Sequence, residues 1–134
     1  VIPLFVKSLI SHERPVINGD GEYSRDFTYI ENVIQANYLA MTSTNPQAVN
    51  KVFNVAFGER TTLNQLFNYL REGLSGFDPA IGDISPVYGP FRAGDIPHSL
   101  ASIDRARSLL GYDPKYSVKK GLQEAIKWYW DNLK

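Results

Sequence analysis

Two arginines in this chain of 134 residues stand in settings suited to binding an anion. Arg25 follows the turn "NGDGEYS" and precedes Asp26 at the head of "RDFTYI". Arg92 lies in "GPFRAGDIPHS", residues 89–99, with glycines to either side and Asp95 three positions on. A guanidinium presents a planar fork of donors that fits a carboxylate or a phosphate. In an extended loop the Arg92–Asp95 spacing lets both side chains line one hollow, the arginine on phosphate and the aspartate accepting from sugar hydroxyls. Each pattern also has a plainer reading. Arg25 with Asp26 or Glu22, and Arg92 with Asp95, would be surface ion pairs contributing ~0–1 kcal/mol. The residues alone leave both open.

The turn itself offers G-x-G without a third glycine and without a helix behind it, so it is not a dinucleotide fingerprint. It reads as a tight, hairpin-like turn or as backbone leaning over a ligand. His98 has no histidine partner and reads as a structural hydrogen-bonding group. The chain has no cysteine and two histidines, which excludes disulfides and thiolate metal sites and gives no reason to expect zinc. Fourteen basic residues balance fourteen acidic ones. No long-range field draws nucleic acid or an anionic membrane, so any anion recognition is local. No general base, nucleophile or metal site emerges.

Several elements must position these groups. Pro3 suits the first turn of a helix carrying Ile2, Phe5, Val6, Leu9 and Ile10. Val16 and Ile17 read as a short strand entering the turn at Asn18 to Gly21, and "RDFTYI" as extended. Asn32 is expected to cap a helix from Val33 to about Thr42, with Ile34, Tyr38 and Met41 on one side. "STNPQ" reads as a surface loop, and "KVFNVAF" as a buried strand closed by Gly58. Thr62 and Gln65 form a capping-box pattern before the stripe Leu63, Leu66, Phe67, Leu70 and Leu74. A long connection from Gly73 to Gly94 follows, with "DISPVY" as a short strand and "HSLASI" as another beyond it. Asp104 is expected to cap a short helix ended by Gly111. A last helix starts near Ser117, with Val118, Leu122, Ala125, Ile126, Tyr129 and Leu133 inward. Trp128 and Trp130, two apart on that helix, cannot share a face.

Interleaved helices and few, short strands give a mixed α/β or α+β class, and 43% hydrophobic residues suffice for a core. The reading is of one lobe, residues 1–134, packed on a larger body. The start "VIPLFV" is too short for a membrane span and lacks the features of a signal peptide. With Val1 in place of Met, the chain is expected to be a piece of a longer, cytoplasmic protein.

"VINGDGEYSRDFTYIENVIQANYLA", "VFNVAFGERTTLNQLF" and "FRAGDIPHSLASIDRARSLLGYDPKYSVKKGLQEAIKWY" stand in the order found in nucleotide-sugar epimerases. Over nearly its whole length the chain resembles the C-terminal region of extended short-chain dehydrogenase/reductases. Its likeness is to the bacterial UDP-N-acetylglucosamine 4-epimerases of surface-polysaccharide synthesis.

The resemblance implies a substrate-binding lobe from a Rossmann-type epimerase. NAD would be held by a preceding domain that also carries the catalytic Tyr-x-x-x-Lys pair. Neither Tyr29 nor Tyr112 opens such a pair, so no catalytic, cofactor-binding or metal residue is assigned here and the piece alone is expected to be inactive. By resemblance, Arg25 and Arg92 hold the diphosphate and Asp95 the uridine ribose. Val16, Ile17 and Asn18 cradle uracil largely through backbone, and Val1 and Ile2 lie close to the nucleotide. The expected partners are a UDP-sugar, the chain's own N-terminal domain and, in the full-length protein, a second copy, with no nucleic acid and no membrane. Departures from the family pattern are Leu4 for a basic residue, Ser102 for an aspartate and Pro97 for an arginine. Alternatives are a UDP-glucuronate epimerase, a decarboxylase or dehydratase on the same scaffold, or a non-catalytic nucleotide-sugar-binding protein.

Overall fold

The computed structural model describes residues 1–133. Helix α1 (Ile2–Ile10) has Pro3 in its first turn and buries Phe5, Val6 and Leu9. Helix α3 (Leu63–Ser75) opens with the expected capping box. Gln65 N donates to Thr62 Oγ1 at 3.1 Å and Thr62 N to Gln65 Oε1 at 2.9 Å. Two donors that a helix start leaves unpaired are thereby satisfied. Its apolar stripe places Leu66, Phe67, Leu70 and Leu74 in the core. Helix α5 (Val118–Asn132) starts at Ser117, whose Oγ accepts from Lys120 N at 3.3 Å. Leu122 is its buried apolar contribution, and Val118, Ile126, Tyr129 and Leu133 pack against the same core. These three helices, with Ile17 and Ile81, make the main core, and Phe5 meets Phe67 edge to face at 6.4 Å.

A second, smaller core lies between α2 (Ile30–Thr42) and α4 (Asp104–Leu110), built from Ala36, Ala56, Ile103, Ala106 and Tyr112. Gly111, at φ +70°, ends α4 in the left-handed conformation that a side chain disfavours. The next residue, Tyr112, donates its hydroxyl to Ala56 O at 2.8 Å. Burial, and next the carboxylate of Asp26, hold that phenol above the ordinary tyrosine value.

Strand β1 (Val16–Asn18) pairs in parallel with β4 (Val87–Gly89), Val16 opposite Val87. Strand β2 (Ser24–Arg25) pairs antiparallel with β3 (Thr61–Thr62), Arg25 opposite Thr61. The class is mixed α/β, as expected. The Asn18–Gly21 turn is not a hairpin, because its two strands belong to different two-stranded ladders.

Other expectations fail locally, some through distant contacts and some through near neighbours or exposure. Asn32 is not a cap: α2 begins at Ile30, and Asn32 is buried inside it. Its Nδ2 donates to Tyr116 O at 2.7 Å, and its Oδ1 accepts from Lys115 N at 3.0 Å and Tyr116 N at 3.2 Å. Asp104 is the first residue of α4, not its cap, and its carboxylate accepts from the Ser102 hydroxyl at 2.9 Å. The Lys51–Phe57 run forms no ladder among the described residues, and Val52 is 81% exposed. "DISPVY" pairs only from Val87, because Asp83 ends a 3-10 helix, Pro79–Asp83. "HSLASI" contributes a single bridge, His98 to Ser24. Gly73 lies inside α3, where a Cβ would stand 3.0 Å from Ile126 Cγ1, so the long connection starts later. Pro46–Ala48 forms a 3-10 turn in the expected surface loop. Ile34, Tyr38 and Met41 do share a side of α2, but that side is exposed. Trp130 stacks on Phe77 at 5.3 Å, whereas Trp128 is exposed.

Asn32→Ala leaves three backbone groups without their partner. At about 1–3 kcal/mol for a stranded buried group, with water reaching some of the cavity, a loss of roughly 2–4 kcal/mol is expected in urea unfolding. An unchanged midpoint would contradict the role given to Asn32.

Candidate functional site

A cavity of about 560 Å³ opens between α1, β1, the start of β2 and the loop before residue 96. Val1, Leu4, Phe5 and Ser8 line it from α1 and the residue before it, and Val16 to Asn18 from β1. Tyr23, Arg25 and Phe27 line it on another side, and Phe91, Arg92 and Asp95 come from the distant loop. Of the eight residues anticipated, seven line this one cavity: Arg25, Arg92, Asp95, Val16, Ile17, Asn18 and Val1. Ile2 does not. It lines a separate groove with Phe27, Tyr29 and residues of α5, among them Trp128.

Local structure sets each charged group. Arg25 Nη1 donates to Ser24 O at 2.8 Å, which orients the guanidinium and leaves its other donors for a ligand. Neither expected ion pair of Arg25 forms. Asp26 instead accepts from Phe57 N at 3.2 Å and from Gly58 N at 3.1 Å, pinning the chain that leads to β3. Glu22 accepts from Asn64 Nδ2 at 2.7 Å. Asp95 N donates to Arg92 O at 3.3 Å, closing a turn through Gly94 at φ +85°. Among the described residues no ion pair joins Arg92 to Asp95. Arg14 also lines the cavity, but its guanidinium donates to Ser85 O and Pro86 O, both at 3.0 Å, and so ties β1 to the chain entering β4. The lining has Arg14, Arg25 and Arg92 against Glu13 and Asp95, an excess of one positive charge in an otherwise neutral chain.

The glycines of the turn answer to the protein's own side chains. Gly19 and Gly21 both have positive φ, +70° and +79°. A Cβ at Gly19 would overlap the Phe91 ring, and one at Gly21 the Asn64 amide. Phe91 in turn meets Tyr23, ring centroids 5.3 Å apart. Asn64 donates to Asp20 O at 3.0 Å and accepts from the Tyr88 hydroxyl at 2.9 Å. The turn is therefore compressed between the Arg92 loop and the first turn of α3. Tyr23, Phe91 and Asn64 were missed from sequence. The one available signal was Phe91's place beside Arg92.

A Tyr-x-x-x-Lys spacing does occur, at Tyr116 and Lys120, whereas Tyr29 and Tyr112 open none. Its geometry is structural. Lys120 Nζ lies over the face of the Tyr116 ring at 4.3 Å, and that ring packs on Tyr29 at 5.1 Å. Neither residue lines the arginine-bearing cavity. Among the described residues no group of three or more His, Cys, Asp or Glu is placed to hold a metal ion, and no helix is long and apolar enough to cross a membrane.

Comparison with known proteins bears on this arrangement. The family model described as GDP-mannose 4,6 dehydratase matches residues 1–125. The solved UDP-glucose 4-epimerase of Thermotoga maritima, with UDP-glucose, superposes with a TM-score of 0.83 at 37% identity, covering 99% of this chain and 40% of that one. The UDP-N-acetylglucosamine 4-epimerase of Methanobrevibacter ruminantium, in complex with UDP-N-acetylmuramic acid, gives 0.83 at 37% identity, covering 98% and 39%. A UDP-glucuronate 4-epimerase of Thermodesulfobacterium geofontis is 29% identical over 92% of this chain and 36% of its own length. The chain thus spans about two fifths of the relatives it matches.

Gly19→Ala combines a left-handed alanine, about 1–2 kcal/mol, with a clash against Phe91. A total loss of roughly 2–4 kcal/mol is expected in denaturant unfolding. Phe91→Ala in the same chain should relieve the clash, so the double variant loses less than the sum of the two. Strict additivity would show that the two residues do not meet.

Proposed function

The chain belongs to the family described as GDP-mannose 4,6 dehydratase, and from that premise we propose that it is the nucleotide-sugar-binding lobe of a UDP-sugar 4-epimerase. One observation carries the reading: Arg25 and Arg92, far apart in sequence, line the same cavity as Asp95 and the β1 backbone. In this proposal the two guanidiniums neutralise the diphosphate through charge-assisted bonds. Asp95 accepts from a ribose hydroxyl. Strand β1 has β4 on one side only among the described residues, so its other edge has N–H and C=O groups to offer a base. Seated this way, the UDP is held firmly while the hexose remains free to present either face to the redox centre. Binding energy from the remote nucleotide then serves to orient the reacting sugar.

The redox cofactor, NAD in this reading, does not fit the residues present. The chain has no G-x-x-G-x-x-G, and its one Tyr-x-x-x-Lys spacing is engaged in packing. We assign the cofactor and the hydride and proton transfers to a preceding Rossmann domain. Supporting that assignment are the exposed apolar side of α2 (Ile30, Ile34, Tyr38 and Met41) and the Lys51–Phe57 segment, which joins no ladder among the described residues, with its exposed Val52. Such a surface suits burial against a larger body. A cytoplasmic setting and the supply of surface-polysaccharide precursors belong to the same proposal. A second reading is a sister activity on a UDP-uronate, the substrate class named for a relative that is 29% identical.

The test uses the polypeptide that carries this chain together with its preceding domain. Interconversion of UDP-GlcNAc with UDP-GalNAc, or of UDP-Glc with UDP-Gal, is expected. Turnover confined to UDP-glucuronate would select the second reading. Arg25→Glu and Arg92→Glu should each raise KM at least 10-fold with a smaller change in kcat, since a charged hydrogen bond contributes about 1.5–3 kcal/mol. An unchanged KM would remove that arginine from the site.

A further inference from the structure

The loop bearing Arg92 and Asp95 has little packing of its own. Residues 91–94 and 96 are exposed, and beyond its chain neighbours no heavy atom of the described residues lies within 4 Å of where a Cβ on Gly94 would stand. It is fastened at two places. At its start Phe91 sits on Gly19 and Tyr23. At its end the chain forms a single parallel bridge, His98 to Ser24. There Ser24 N donates to Pro97 O at 2.9 Å and Ser99 N donates to Ser24 O at 3.1 Å. Pro97 contributes only its carbonyl, so the missing N–H of proline is not needed. A third bond joins the Ser24 hydroxyl to His98 Nδ1 at 2.9 Å.

Ser24 is buried and directly precedes Arg25. Its carbonyl accepts from two donors, Ser99 N and Arg25 Nη1. One peptide group thus orients the first arginine and fastens the loop that carries the second. His98 lines no part of the cavity. Its side chain acts on the site only through Ser24 and the loop.

We propose that His98, through its bond to Ser24, is a positioning residue for the diphosphate, setting the spacing between the Arg25 and Arg92 guanidiniums. The inference rests on the nucleotide-sugar reading above and adds a residue to it. Without the imidazole, the two backbone bonds remain and the fold survives, but the loop end is held less firmly. Arg92 and Asp95 then sample a wider range of positions, and ordering them falls to the ligand. The loss is in affinity for the diphosphate and not in turnover of bound substrate.

The experiment measures UDP binding by calorimetry, and KM and kcat for the sugar nucleotide, on the polypeptide that includes the preceding domain. His98→Ala should raise the Kd for UDP about three- to tenfold, the range of a single net hydrogen bond, with kcat within twofold. His98→Asn, whose side-chain amide reaches the place of Nδ1, should restore most of the affinity. In an Arg92→Ala background, His98→Ala should cost less than it does in the wild type, because one of the two groups it positions, Arg92, is gone. Ser24→Ala removes the same bond from the other side, and gives the same answer if His98→Ala fails to fold. An unchanged Kd in His98→Ala, an equal added loss in the Arg92→Ala background, or no rescue by asparagine would each overturn the inference. If UDP binds and depends on both arginines but not on His98, the positioning role alone fails. If the wild-type protein does not bind UDP, this inference and the nucleotide-sugar reading fall together.

Discussion

Ser24 and His98 are 74 residues apart, and the bridge between them governs the site. Short ladders of two or three residues have little stability of their own. Here they persist because each is pinned to a helix or to the other ladder. β3 runs directly into the capping box of α3, and Leu63 N donates to Tyr23 O at 3.1 Å. β1 is tied to the chain entering β4 by the Arg14 guanidinium. The Asn18–Gly21 turn crosses from one ladder to the other, and its two left-handed glycines leave room for Phe91 and Asn64. Remove the bridge at Ser24 and the Arg92 loop is held only at its Phe91 end.

The molecule keeps most of its main apolar core apart from its candidate site. Apolar burial is concentrated in α1, α3 and α5, with a satellite core at α2 and α4. The cavity lies beside the main core and borrows Phe5 and Ile17 from it. A site built on buried, rotamer-locked neighbours keeps its groups in place before a ligand arrives. The Arg92 loop is the exception, and polar bonds to Ser24 with one aromatic contact take the place of a core.

Much was legible in the sequence where the signal is local. The capping box at Thr62, the stripe of α3, Pro3 at the head of α1 and Gly111 at the end of α4 each depend on residues within one or two turns. The candidate site's main groups were legible only as arginine-bearing loops that also read as surface ion pairs, and the resemblance to nucleotide-sugar epimerases supplied the choice. What misled was reading distant partners as near ones. Arg25 was offered Asp26 and Glu22 as ion-pair partners, but those carboxylates are engaged by Phe57, Gly58 and Asn64. Asn32 looked like a cap because asparagine favours helix starts, yet its three bonds reach residues 115 and 116. Ile2 follows Val1 in sequence, but helical rotation carries it to another face.

By itself, the order of residues determined the mixed α/β class, the helices with strong periodicity, the lack of cysteine, and the two arginine-bearing loops as candidates for anion binding. Those are properties of short windows, where propensity, capping and spacing act without help from elsewhere. Tertiary structure alone decided that Arg25, Arg92 and Asp95 share one cavity and that the glycine turn spans two ladders. It also decided that Lys51–Phe57 joins no ladder among the described residues. The reason is that pairing and packing between distant segments depend on which surfaces remain after the local elements form. Such choices are energetic comparisons across the whole chain, and no single stretch of sequence records them.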